Sequence, residues 1–115
     1  MQVLFESRDP AGAPLRELVE RRVSFTMRRL SWRVPRARVL LSDVNGPRGG
    51  VDKRCQLELT TVAAGRVVIS SVRRDWRSAI DDALARAVRV LMRLTQRAHG
   101  RSRSPGRAVV PSLDA

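Results

Sequence analysis

The stretch from Trp76 to about His99 constrains this fold most, because its residues sort onto two separate faces of one helix. Trp76, Ile80, Ala83, Leu84, Ala87, Leu91 and Leu94 recur at helical spacing and gather on one side. Arg86, Arg89, Arg93 and Arg97, spaced 3, 4 and 4, fall within a stripe about 80° wide on another. Between Asp82 and Asp114 there are seven arginines and no acidic residue, so the stripe is expected to lack i,i+4 acid partners. The apolar side needs a sheet or a second helix to cover. The guanidinium side suits a polyanion. Nucleic acid is the leading candidate, since each guanidinium offers forked donors to phosphate and stacks on bases.

The rest of the composition agrees. Among 115 residues, 23 are basic and 11 acidic, a formal charge of +12, and Lys53 is the only lysine. Arginine over lysine is the kind of bias that codon preference alone can produce and carries no weight; the sign of the charge does. Such a charge speaks about partners rather than fold. The length suits one domain with one modest core. With Cys55 alone no internal disulfide is possible; a reducing compartment is the natural setting, and Cys55 reads as a small buried hydrophobe in a strand. No apolar run approaches the roughly 18 residues of a membrane span, and the apolar opening is too short for a signal peptide. A cytoplasmic protein without a membrane partner is expected. His99 is the only histidine, which excludes metal sites of the usual His/Cys type. Neither a Ser/His/Asp nor a Cys/His set can be assembled. Asp81 and Asp82 are helical neighbours that do not face one another. We therefore expect no enzyme, no cofactor and no small-molecule substrate.

Residues 2–7 alternate as a first strand. Asp9, Pro10 and Gly12 break it. Pro14 then suits the first turn of a helix predicted to run to Leu30, with Leu15, Leu18, Val19, Val23, Thr26, Met27 and Leu30 on its apolar side. Arg28 and Arg29 would occupy its last turn. Strands are predicted over 36–44, 52–62 and 66–72, the last two as a hairpin across Ala63-Ala64-Gly65. Asp75 reads as the cap of the last helix and Gly100 as its stop. The order β-α-β-β-β-α predicts a single α+β domain over residues 1–99. Its four-stranded sheet carries both helices on one face, and strands one and two are parallel. Residues 100–115, rich in Ser, Arg, Pro and Gly, read as a disordered basic tail.

This order, the start MQVLFESRD, the helix opening LRELVERRV and the segment RDWRSAIDDALARAV resemble the ribosome hibernation promoting factor family, also called sigma-54 modulation proteins. The segment DVNGPRGGVDKRC, residues 43–55, resembles a branch with a glycine-rich loop between strands two and three. The likeness covers residues 1–98. It implies a small α/β protein that binds the 30S subunit and the 70S ribosome over the decoding region. Basic side chains would face 16S ribosomal RNA where tRNA and mRNA otherwise sit, blocking translation in stressed or stationary cells. Matching positions are Arg22 on the first helix and Arg86, Arg89, Arg93 and Arg97 on the second. The chain departs from the pattern in having Trp76-Arg77 after the helix cap and arginine where relatives use lysine. Long members also carry a second, dimerising domain, which residues 100–115 are too few to supply, so a monomer is expected.

Several candidates keep two readings. Arg28 and Arg29 serve either RNA or the helix dipole. Arg73, Arg74 and Arg77 lie near Asp75, Asp81 and Asp82 and suit local pairing as well as RNA contact. Gly46-Pro47-Arg48-Gly49-Gly50, with Arg48 and the Lys53-Arg54 pair, is either a phosphate approach or a plain loop. Trp76 reads as core, and Trp32 is open to stacking or burial. Two rival functions stand beside the ribosomal one. They are a general RNA-binding module and a regulator docking on an acidic protein.

Overall fold

A computed structural model of the chain describes residues 1–44 and 52–103. Its elements are β1 (Gln2–Ser7), α1 (Arg16–Thr26), β2 (Arg36–Asp43), β3 (Lys53–Thr61), β4 (Gly65–Arg73) and α2 (Trp76–Arg103). Short 3-10 helices at Pro10–Leu15 and Ser31–Arg33 flank α1. The sheet order is β1-β2-β3-β4. β1 runs parallel to β2, from Gln2 opposite Arg36 to Ser7 opposite Leu41, and the other two pairings are antiparallel. This is the predicted α+β architecture.

Strand alternation explains why both helices share one face. Ala37, Val39 and Leu41 of β2 and Cys55, Leu57 and Leu59 of β3 point the same way and are buried. Val19 and Val23 of α1 and Ile80, Ala83, Ala87 and Leu91 of α2 complete this single core. α1 packs on β1, and α2 packs on β3 and β4. The opposite sheet face mixes a self-paired polar patch with Leu4, Leu40 and Val68: Arg38 bonds Glu6 at 2.6 Å and Glu58 at 3.3 Å, and Gln56 Nε2 donates to Glu58 at 2.8 Å. The β3–β4 hairpin turns on Gly65, whose φ of 70° lies in the region that favours glycine. There the Thr61 hydroxyl donates to the Gly65 carbonyl at 2.7 Å and accepts from the Ala64 amide at 2.9 Å.

Three local expectations are corrected. α1 is shorter than the predicted Pro14–Leu30. Asp9 caps a 3-10 helix by accepting from the Ala11 amide at 2.8 Å, and Pro14 lies inside that element. At the other end Ser24, Phe25 and Thr26 are poor helix formers. The chain leaves the helix at Met27, although Met27 and Leu30 still pack on the core. Arg28 and Arg29 consequently stand in a turn, not on the helix. Gly100 does not stop α2, which continues to Arg103; one glycine weakens a helix without ending it. The glycine-rich loop with Arg48 and the tail from residue 104 lie outside the described residues.

Candidate nucleic-acid interface

α2 is anchored where the sequence says it should be. The Ser78 amide donates to Asp75 Oδ1 at 2.8 Å and its hydroxyl to Oδ2 at 3.2 Å. Those bonds, the amide's first, hold the Asp75 carboxyl below its ordinary value. Trp76 then turns its ring into the core and donates from Nε1 to the Ser42 carbonyl at 3.2 Å, which settles its role as structural. With the apolar side fixed on β3 and β4, the arginine stripe is directed past the free edge of β4. Arg86, Arg89 and Arg93 line a groove of about 300 Å³ there, together with Val68, Ser70 and Val90. Arg97 belongs to the same helix, but its side chain lies outside the described part.

The stripe is not free of acid along its whole length. Asp82 sits one turn before Arg86 on the same face, and the two pair at 3.3 Å. Asp82 also accepts from the Ser71 hydroxyl at 2.6 Å and pairs with Arg73 at 3.1 Å. The Ser71 bond, then the charges of Arg73 and Arg86, hold its carboxyl below the ordinary carboxylate range despite partial burial. Arg86 further donates to the Ser70 carbonyl of the edge strand at 2.9 Å. Arg86 is thus partly committed within the molecule, and the expectation of an unpaired stripe fails at its first member. Arg89 and Arg93 are exposed and form no ion pair among the described residues.

The other candidates divide in the same way. Arg22 of α1 pairs with Asp81 of α2, a bridge between the two helices. Asp81 and Asp82 accordingly serve different partners. Arg28 and Arg29 are exposed, with the Arg28 guanidinium 4.6 Å from the Phe25 ring centre. Lys53 and Arg54 do not act as a pair, because neighbouring strand residues point to opposite faces. Lys53 reaches Asp43 at 2.8 Å and Asp52 at 3.1 Å and lies over the Trp76 ring. The bonds to Asp43, then Asp52, raise its pKa. Arg54 faces the other side and donates to Ser70 Oγ at 3.1 Å. Sequence reasoning missed Val68 and Val90, which wall the arginine groove; the strict alternation of β4 was the available signal. It also missed Phe25, which is 67% exposed. Phe25 falls outside the apolar stripe of its own helix, and that was the clue.

No group of three His, Cys, Asp or Glu side chains able to hold a metal occurs among the described residues, and no described helix is long and apolar enough to cross a membrane. The described residues thus form a small α/β scaffold that presents exposed cations along a helix and a strand edge.

Neither a family model nor a curated protein sequence matches the chain. Solved structures do. The N-terminal domain of Thermus thermophilus Protein Y superposes with a TM-score of 0.62 at 22% identity, over 82% of this chain and 99% of that one. A ribosomal subunit interface protein from Coxiella burnetii gives 0.63 at 14% identity, over 84% and 99%. At these identities the likeness establishes a shared fold, the one that the family resemblance of the sequence implies.

Proposed function

We propose that this chain is a member of the ribosome hibernation promoting factor family and inhibits translation by occupying the small subunit. In this reading it binds 30S and 70S particles over the decoding channel, with 16S ribosomal RNA as its direct partner, in the cytoplasm of stressed or stationary cells. It acts as a monomer without cofactor or chemistry of its own. The observation that carries the reading is the exposed pair Arg89 and Arg93 beside the β4 edge, with no acid partner among the described residues, on a fold shared with a ribosomal subunit interface protein.

The physical argument runs through phosphate. A helix spaces the guanidinium groups at one-turn intervals, and each planar fork loses less freedom per hydrogen bond to phosphate than a flexible ammonium does. Structured RNA is recognised mainly by shape, phosphate and 2′-hydroxyl contacts, which a basic surface supplies without base readout. Inhibition then follows from occupancy.

Sedimentation through sucrose at two salt concentrations, with the chain mixed with 30S, 50S and 70S particles, tests this. Saturable co-migration with 30S and 70S but not 50S, weakened by salt, is the expected result. Absence of co-migration at low salt overturns the reading, and equal affinity for arbitrary duplex RNA replaces it with a general RNA-binding module.

A further inference from the structure

The last turn of α1 and the connection that follows it to β2 carry a feature that the arginine face of α2 does not use. Phe25 is 67% and Trp32 is 70% exposed, a large apolar outlay for two rings seven residues apart. Each is paired with a guanidinium: Arg28 lies 4.6 Å from the Phe25 ring centre and Arg33 lies 4.5 Å from that of Trp32. Arg28, Arg29 and Arg33 form no ion pair among the described residues. We propose that Phe25 and Trp32, with these arginines, form a stacking site for unpaired bases of single-stranded RNA.

The chemistry favours that occupant. An exposed ring accepts the face of any base, and an adjoining guanidinium adds cation–π attraction and a phosphate contact. Charge favours the arginine side: the groove on the α1 side of Phe25 mixes Glu17 and Glu20 with Arg21, whereas Arg28, Arg29 and Arg33 form no ion pair among the described residues. The fold ties this site to the interface above. Arg33 shares a small cavity with Thr61 and Ala64 of the hairpin and with Leu91 and Leu94 of α2. Arg33, and with it the Trp32 end of the site, therefore lies at the hairpin end of the molecule, beside Leu91 and Leu94 of α2. The site stands on its own geometry and does not require the ribosomal reading.

The test uses the full chain with Trp76→Phe, leaving Trp32 as its only tryptophan, titrated with a short unstructured oligouridylate at low salt. Saturable quenching of Trp32 emission is expected. In the otherwise unchanged chain, Trp32→Ala and Phe25→Ala should each weaken oligouridylate binding about tenfold by anisotropy, with the circular dichroism spectrum unaltered. Unquenched emission together with unchanged affinity in both variants overturns the proposal. So does concentration-dependent self-association of the free chain that Trp32→Ala abolishes, because the rings would then be covered by a second copy. Failure of the ribosomal reading looks different: co-migration with 30S is lost while oligouridylate quenching persists.

Discussion

At the scale of single residues, the informative side chain is Asp82. It brings a negative charge onto the arginine face and ties Arg86 to Ser71 and Arg73. Because the folded protein holds this carboxyl below its ordinary value, its contribution to stability is present above the unfolded pKa of about 3.9 and is lost as pH falls through the folded value. Asp82→Asn should therefore lessen the loss of stability on acidification below about pH 4, measured by urea unfolding across pH. The same change frees Arg86 and removes the charge that opposes phosphate. Affinity for 30S at low salt should rise a few-fold, and a fall would show that the pair organises the surface. Cys55 makes a second test. Burial pushes its thiol up to about 12, so almost no thiolate exists at neutral pH. Alkylation of the native chain at pH 8 should be negligible until denaturant is added, and rapid modification would contradict the placement of β3 in the core.

At the scale of elements, α2 depends on a cap that the core does not replace. Asp75→Ala leaves the first amides of the helix without their side-chain acceptor and should lower Tm by about 5 °C, read by thermal melting. The helix itself, its cap and its two faces were legible in the sequence because periodicity and capping are local. So were the strands, to within a residue or two. The end of α1 was not legible: Met27 and Leu30 fit the helical stripe, yet they reach the core from a turn, and only the packing distinguishes the two. The Asp82–Arg86 pair lies on one helical face at i,i+4 spacing, but which of its neighbours Asp82 takes is decided by Ser71 and Arg73 of β4. The separation of Lys53 from Arg54 is legible in strand alternation alone. The exposure of Trp32 is not legible, since a 3-10 helix leaves no periodic signal. Which residues share a face of a regular element was thus readable, while the ion pairs formed on that face and the placement of residues on connections were set by packing.

At the scale of the whole molecule, a charge of +12 makes salt the most direct probe of how the chain meets RNA. Each phosphate neutralised contributes roughly −0.7 to −0.9 to the slope of log affinity against log salt. Four contacts along the α2 stripe would give about −3 to −4 from that helix alone. The ion pair at Arg86 lowers this expectation and leaves Arg89 and Arg93 as the members with no acid partner among the described residues. The double change Arg89→Gln, Arg93→Gln keeps helix propensity and touches no core side chain, so the fold and its Tm should be retained. Its salt slope for 30S binding should be shallower by about 1.4 to 1.8, two phosphate contacts' worth. Arg86→Gln alone should flatten the slope by less than one contact, because its charge is already shared with Asp82. In that case Asp82→Asn should steepen the slope of the parent chain; if instead all three arginines contribute equally, RNA displaces the Asp82 pair on binding, and Asp82→Asn should raise affinity without steepening the slope. If neither variant alters the slope, the phosphates are met elsewhere on the surface, and the arginine face of α2 is not the site of binding.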